Sequence, residues 1–310
     1  MADQGSSTGA WTLPRLGVGT WAWGDRETWG FDRGYGLAEV EGAFRASVEA
    51  GVSLFDTAEV YGSGKSERIL GDLVRRWGKP LIVATKFAPY RLGAAAVHRA
   101  LEGSLSRLGM QRVDLYQVHW PPIVGRIDTW MAALAAAVQE GRVRAVGVSN
   151  FGADQMRRAQ DALARHAAPL ASNQVEYSLL HRAPETNGVL RACRELDITL
   201  IAYSPLAMGL LSGKYDAGAD RLPRRFGRYL RAWPPATIAG VVSLLEAIGQ
   251  KHGRTPAQVA LRWLLQQPGV VVIPGAKDAT QARENAGALG WELAPEEMAA
   301  LDQATRRRKG

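Results

Sequence analysis

Asp56, Tyr61, Lys86 and His119 are the side chains whose types and spacing point to chemistry. Asp56 ends the strand-like run Ser53–Asp56, and Tyr61 follows five residues later in Asp56-Thr57-Ala58-Glu59-Val60-Tyr61-Gly62. Lys86 ends Leu81–Lys86, and His119 ends Val113–His119. Three successive runs thus deliver a carboxylate, an ammonium and an imidazole, with a phenol on the turn beside the first. An ion pair plugging a core would account for Asp56 and Lys86 alone. Burying two charges costs several kcal/mol per ion before their attraction compensates, however, so a chemical use is the stronger reading. Only seven of the 38 basic residues are lysines, so a lysine at a strand end is not filler. The four together suggest proton delivery to a carbonyl oxygen. A phenol of pKa ~10 is a poor acid at neutral pH. The Lys86 ammonium favours the phenolate and is expected to lower that value, with Asp56 fixing the lysine and His119 orienting the substrate oxygen. None of the four is a source of hydride, so a cofactor must supply it. A Schiff-base reaction on Lys86 needs a lysine of lowered pKa, which a carboxylate neighbour opposes.

The elements that must position these residues alternate to the C-terminus. Strands are expected at Leu16–Gly19, Ser53–Asp56, Leu81–Lys86, Val113–His119, Val143–Ser149, Ala171–Glu176, Thr199–Tyr203 and Val270–Pro274. Helices are expected at Leu37–Ala50, Ser66–Trp77, Ala94–Leu108, Ile127–Glu140, Ala153–His166, Pro184–Leu196, Ala236–His252, Pro256–Gln266, Asp278–Ala288 and Pro295–Thr305. Eight strands separated by helices make either a barrel or an open doubly wound sheet. An open dinucleotide-binding sheet carries a glycine-rich turn after its first strand. Here Thr20-Trp21-Ala22-Trp23-Gly24 follows, and its indoles would block close backbone approach. The expected fold is therefore α/β, a single-domain (β/α)8 TIM barrel. Its two long connections, Trp21–Gly36 and Leu206–Pro235, follow strands and so lie over the face where such barrels build their sites. The arginine-rich second connection is expected to close over a bound dinucleotide.

Composition sets the remaining bounds. Of the 310 residues, 46% are hydrophobic and 22% charged, ordinary values for a globular chain. A single cysteine, Cys193, excludes an intrachain disulfide and a cysteine-based structural zinc site, and no metal is expected. Residues 1–10 read as a disordered polar tail without the basic and apolar regions of a signal peptide. Residues 11–305 read as the barrel and 306–310 as a basic tail. No apolar run approaches the ~20 residues needed to span a bilayer, and a cytoplasmic location is expected. The net charge of +8 and the clusters Arg221/Arg224/Arg225/Arg228/Arg231 and Arg306 to Lys309 raise the question of nucleic acid. They lack interleaved aromatics and any nucleic-acid module, so a solvated surface or a phosphate-bearing small ligand fits better.

The ordered series Leu16-Gly17-Val18-Gly19-Thr20-Trp21, Phe55-Asp56-Thr57-Ala58-Glu59-Val60-Tyr61-Gly62, Thr85-Lys86, Val118-His119-Trp120-Pro121, Gly147-Val148-Ser149-Asn150-Phe151 and Asn173-Gln174-Val175-Glu176-Tyr177-Ser178 resembles the aldo-keto reductases. Tyr203-Ser204-Pro205-Leu206 and Ile273-Pro274-Gly275-Ala276-Lys277 continue the likeness, which runs from about Leu13 to Ala304. It is nearest to the plant, bacterial and potassium-channel β-subunit branch. The resemblance implies an NADPH-dependent reductase of aldehydes or ketones that binds its cofactor without a glycine-rich fingerprint. It implies Tyr61 as general acid in a tetrad with Asp56, Lys86 and His119. Ser149, Asn150 and Gln174 would hold the nicotinamide carboxamide, and Tyr203 would stack on the nicotinamide. Ser204, Leu206 and Lys214, with Arg224 or Arg225, would meet the pyrophosphate. Lys277, Gln281, Glu284 and Asn285 would surround the adenosine end, with Thr20, Trp21, Asp56, Pro205, Met208 and Gly275 completing the cofactor contacts.

Lys277 favours NADPH over NADH, because the extra phosphate brings up to two negative charges. Gln281 stands where many relatives carry arginine, which would loosen that clamp. Trp21, Trp23, Trp29, Phe87 and Trp120 are the expected substrate pocket, whose aromatic walls suit an apolar or aromatic carbonyl compound. The first connection is longer than in many relatives, and the long C-terminal loop of the animal enzymes is lacking. The expected partner is a small-molecule carbonyl substrate, with no nucleic acid and no membrane; the oligomeric state stays open. Some relatives instead act as cofactor-sensing regulatory subunits, and the complete tetrad argues for catalysis.

Overall fold

A computed structural model of the chain describes residues 6–8, 11–90, 93–122, 126–215 and 223–306. Arg221 and the basic run beyond Arg306 lie outside the described residues, as do 1–5 and 9–10 of the N-terminal segment and 216–222 of the long arginine-rich connection.

Two short strands, β1 (Ser6–Thr8) and β2 (Trp11–Leu13), pair antiparallel before the main sheet begins. Within the expected tail, the described residues Ser6–Thr8 form a strand. Thr12 is β-branched and suits a ladder, and buried Leu13 gives the hairpin an apolar anchor beneath the barrel. Eight parallel strands follow: β3 (Gly17–Gly19), β4 (Leu54–Asp56), β5 (Ile82–Phe87), β6 (Val113–Val118), β7 (Val143–Ser149), β8 (Leu170–Glu176), β9 (Thr199–Tyr203) and β10 (Val270–Val272). Each pairs with the next in sequence. The seam closes where Gly19 N donates to Pro274 O at 3.1 Å and Val272 N donates to Arg15 O at 2.9 Å. The result is a (β/α)8 barrel.

Side-chain alternation divides each strand between two layers. Leu54, Ala84, Leu115, Ala171, Ile201 and Val271 meet Leu13 in the barrel interior. Val18, Phe55, Val83, Tyr116, Val148 and Leu200 face the helical jacket. The helices present matching stripes. In Ala94–Leu108, for example, Val97, Ala100, Leu101, Ser104, Leu105 and Leu108 are buried, the three-and-four spacing of one helical face. The expected helix Pro184–Leu196 is two helices, Ala183–Thr186 and Val189–Glu195. Gly188 between them takes the left-handed conformation at φ 85°, which ends one helix and lets a second start in a new direction.

Candidate active site

Strand ends and the turns after them build the site on one rim. Lys86 is the penultimate residue of β5 and points into the barrel, fully buried. Its ammonium donates all three protons: to Asp56 Oδ1 at 2.5 Å, to Thr57 O at 2.8 Å and to Tyr61 Oη at 3.3 Å. The other carboxylate oxygen of Asp56 accepts from Gln174 Nε2 at 2.8 Å and Gln117 Nε2 at 3.1 Å. These amides matter because a buried ion pair is stable only when its remaining hydrogen-bonding capacity is satisfied. Gly147 makes room for them: a Cβ there would sit 2.8 Å from Gln117 Cγ and 2.5 Å from Ser172 Oγ.

Tyr61 opens a tight turn, Tyr61–Gly64, in which Gly62 and Ser63 both have positive φ. The turn is tied down beneath by Ser66, whose Oγ lies 2.8 Å from Thr20 Oγ1 and 2.9 Å from Thr57 Oγ1. His119 N donates to Phe87 O at 3.0 Å, and the imidazole meets the Tyr61 ring edge-on with centroids 5.7 Å apart. Burial, reinforced by the Lys86 charge, pushes the imidazole down to about 3, so His119 is neutral at physiological pH. Burial pushes the Tyr61 phenol up and Asp56 adds to this, while Lys86 pulls it down; the net direction is upward. The expected lowering by Lys86 is present but is outweighed by desolvation. Burial works against the Lys86 charge too, yet Asp56 and Tyr61 more than offset it, and the ammonium is held. The phenol keeps its proton at neutral pH beside a fixed positive charge.

From this cluster a cleft of about 500 Å³ runs outward across the rim. Ser149, Asn150, Gln174 and Tyr203 line its inner part. Asn150, at φ 62°, donates to His119 O at 3.1 Å and Ser149 Oγ at 3.1 Å and accepts from Tyr203 Oη at 3.0 Å. One amide thus fixes the backbone of His119, a hydroxyl and an aromatic wall. Ser204, Pro205, Leu206, Met208 and Lys214 line the next stretch, and Ser204, Ala207 and Met208 all have positive φ. Such strain, roughly 1–3 kcal/mol per residue, persists where surroundings over-determine the backbone and is concentrated at functional sites. Gly275, Lys277, Gln281, Glu284 and Asn285 line the far end. Asn285 Nδ2 donates to Gly275 O at 3.1 Å, and Lys214 pairs with Glu284 at 3.5 Å. Arg225 and Lys277 bring positive charge to this end without a salt bridge among the described residues.

Several expected contacts lie elsewhere. Thr20 is enclosed below the cleft, its hydroxyl donating to Asp56 O at 3.0 Å, so it braces strand ends and does not face a ligand. Of the two candidates, Arg225 and not Arg224 lines the cleft. Trp23 is fully buried; its Nε1 donates to Ala276 O at 2.8 Å and its ring packs on Phe55. Phe87 follows inward-pointing Lys86, so strand alternation turns it outward against Tyr116 and Trp130. Trp21, Trp29 and Trp120 do line the cleft. Conversely, sequence reasoning missed Gln117 and Tyr215, and it named Arg228 only within a basic cluster. Gln117 is two residues after inward-facing Leu115, so the same alternation flags it. Arg228 is placed by its ion pair with buried Glu176 at 2.9 Å, a contact with no local sequence signal.

Among the described residues no group of three or more His, Cys, Asp and Glu side chains is arranged to hold a metal ion. No single helix there is long and apolar enough to cross a membrane.

A closed (β/α)8 barrel with a Lys–Asp–Tyr–His cluster at one rim and an elongated, cationic cleft beside it defines a class of cofactor-using oxidoreductase. Residues 15–306 match the sequence model described as the Aldo/keto reductase family, and the chain belongs to that family. It is 36% identical to the chloroplastic pyridoxal reductase of Arabidopsis thaliana, covering 96% of this chain and 85% of that protein. It is 31% identical to a methylglyoxal reductase of Escherichia coli, covering 96% and 93%. Among solved structures, an aldo/keto reductase from Klebsiella pneumoniae in complex with NADP and acetate superposes with a TM-score of 0.79 at 28% identity, covering 100% and 98%. The glycerol dehydrogenase of Gluconobacter oxydans gives 0.84 at 29% identity, covering 98% and 95%.

Proposed function

We propose that the protein is an NADPH-dependent reductase that converts aldehydes or ketones to alcohols, with Tyr61 as the proton donor. The observation that carries this is the Lys86 ammonium, buried and held by Asp56, within 3.3 Å of a phenol that opens onto a long cleft. The cleft fits a dinucleotide phosphate: its inner wall offers an aromatic face and amides, and its far end offers two cations that make no salt bridge among the described residues. The likeness to a solved reductase in complex with NADP supports the same cofactor.

When bound, NADPH supplies the hydride that reduces the carbonyl carbon. Tyr203 provides a flat wall for the nicotinamide, and Ser149, Asn150 and Gln174 set its orientation. Leu206, Met208 and Lys214 follow the pyrophosphate, while Arg225 and Lys277 answer the phosphates. Lys277 favours NADPH over NADH by charge. Neutral His119 hydrogen-bonds the carbonyl oxygen, and Tyr61 donates its proton to that oxygen as negative charge develops. Lys86 stabilises the resulting phenolate. Trp21 and half-exposed Trp120 flank the mouth with Val60, so the substrate end is apolar and suits aromatic or aliphatic carbonyl compounds. The carbonyl substrates in the names of the two reductase relatives agree with this reaction class.

The test follows NADPH oxidation over a panel of aromatic and small hydrophilic aldehydes, wild type against Tyr61→Phe. The expected result is higher kcat/KM for the aromatic members and a loss of turnover of about 10²–10⁴ on substitution, with NADP+ binding retained. Tight NADPH binding by the wild type without turnover on any aldehyde would replace this reading with a cofactor-sensing regulatory subunit.

A further inference from the structure

Trp29, in the first connection, carries two cations on one ring. Lys277 Nζ lies 4.9 Å from its centroid and the Arg225 guanidinium 5.4 Å. Lys277 Nζ also donates to Trp29 O at 3.2 Å. Among the described residues Arg225 hydrogen-bonds neutral partners, Met208 O at 3.4 Å and Tyr215 Oη at 2.9 Å. Burial and the nearby Arg225 charge push Lys277 down, against Asp278. Two like charges converging on one indole are an arrangement that an anion relieves and that cation–π attraction, roughly 0.5–2 kcal/mol per contact, only partly offsets.

A second observation is independent of the charges. Trp29 lines the cleft, yet its buried indole N–H has no acceptor among the described residues. A buried donor without a partner costs about 1–3 kcal/mol and is rare enough to need a reason.

Trp29 is also tied to the reacting end. Asp25 Oδ1 accepts from Trp29 N at 3.2 Å and Thr28 N at 2.7 Å, and Asp25 Oδ2 accepts from Trp21 Nε1 at 3.0 Å. The Trp21 ring meets Trp29 edge-on at 5.7 Å and stacks on Tyr61 at 6.1 Å with 24° between planes. One carboxylate therefore ties the Trp21 indole to the backbone of Trp29, in a unit that reaches from the cationic end of the cleft to the phenol.

We propose that Trp29 is a ligand-binding positioning residue: its indole N–H donates to an oxygen of a phosphoryl group seated between Lys277 and Arg225, and the Asp25–Trp21 unit fixes that seat relative to Tyr61. This rests on the reading of the cleft as a dinucleotide site. The phosphoryl group is either the 2′-phosphate or the pyrophosphate of the cofactor. Both present the same acceptor, and the experiment separates them.

Binding of NADP+, adenosine 2′-monophosphate and ADP is measured by calorimetry on the wild type and Trp29→Phe. Phenylalanine keeps an aromatic face, though a smaller one, for the cations and removes the donor. The expected result is NADP+ binding weakened about tenfold, the scale of one hydrogen bond to a charged acceptor. A loss confined to adenosine 2′-monophosphate places the 2′-phosphate in the seat, and a loss confined to ADP places the pyrophosphate there. Unchanged NADP+ affinity overturns the proposal. Should Trp29→Phe fail to fold, the indole N–H resonances of nitrogen-15-labelled wild type are followed instead. One must move downfield on NADP+ addition, and no such movement overturns the proposal equally. A wild type that binds neither NADP+ nor NAD+ removes the dinucleotide reading itself, a different outcome from a tight-binding wild type matched by its variant.

Discussion

Replacing Lys86 by methionine separates two roles that the structure assigns to one ammonium. At an effective dielectric of about 20, a unit charge 3.3 Å from the Tyr61 oxygen stabilises a phenolate by about 5 kcal/mol. Asp56, behind the ammonium, cancels part of this, leaving roughly 3–5 kcal/mol, or about 10²–10⁴ in rate. The same substitution strands Asp56, which is 2% exposed and keeps only the two glutamine donors. An uncompensated buried carboxylate costs about 3–5 kcal/mol of stability, near 5–8 °C in Tm for a chain of this size. Removing the carboxylate as well, in Asp56→Asn/Lys86→Met, leaves a neutral pocket. Most of the lost Tm is then expected to return while kcat stays down by about 10²–10⁴. The assay is kcat at saturating NADPH and aldehyde beside a thermal melt, for the wild type, the single variant and the double variant. A double variant that regains activity along with stability would refute the reasoning, because Lys86 would then be only the partner of Asp56.

Two further outcomes follow from the same geometry. The His119 imidazole sits at about 3, below its ordinary 6.5, so the unfolded chain binds the additional proton between those values. Its contribution to stability is therefore complete above about pH 6.5 and is lost progressively as pH falls toward 3, while kcat/KM shows no inflection near 6.5 from this group; ring nitrogen NMR that finds His119 titrating near 6.5 would contradict this. Gln117→Leu removes one of two amide donors to Asp56 and should lower kcat roughly tenfold with little change in aldehyde KM, and a change in KM alone would count against a positioning role.

The tetrad was legible because it sits where strands end. Short apolar or β-branched stretches mark β4, β5 and β6, and a charge closing such a stretch has to face either the barrel mouth or the helical jacket. Alternation decides between them, and it was not carried far enough. Applied one residue beyond Lys86, it sends Phe87 into the jacket; applied within β6, it turns Gln117 inward beside Lys86, its partner in register. Trp23 and Trp29 show the limit of composition. Both are tryptophans of the same connection, but the carbonyl of Ala276, more than two hundred residues away in sequence, captures the indole of Trp23 and takes it out of the cleft. Which of Arg224 and Arg225 faces the cleft likewise depends on the path of a long connection. The direction of the Tyr61 pKa was misjudged for a related reason: a neighbouring charge is visible in sequence, whereas the depth of burial that opposes it is a property of the assembled rim.

The interior of the barrel explains why this rim can hold charge at all. Leu54, Ala84, Leu115, Ala171, Ile201 and Val271 form a dry layer capped from below by Leu13, so no water reaches the Asp56–Lys86 pair from that side. Its hydrogen bonds have to come from the layer above, and the register puts Lys86 opposite Gln117 and Gln117 opposite Gly147. The missing side chain at Gly147 leaves space that Gln117 and Ser172 occupy, while Gln174 reaches Asp56 from β8. Amides satisfy the carboxylate without adding charge, so Asp56 remains the counter-ion of Lys86 alone. With His119 neutral and Tyr61 protonated, the cluster carries no net charge until the phenol releases its proton. The single negative charge that then appears faces one cation at 3.3 Å in a medium of low polarity, where that attraction is strongest. The dry layer that makes the pair expensive to bury is thus the same feature that makes its electrostatic effect on Tyr61 large.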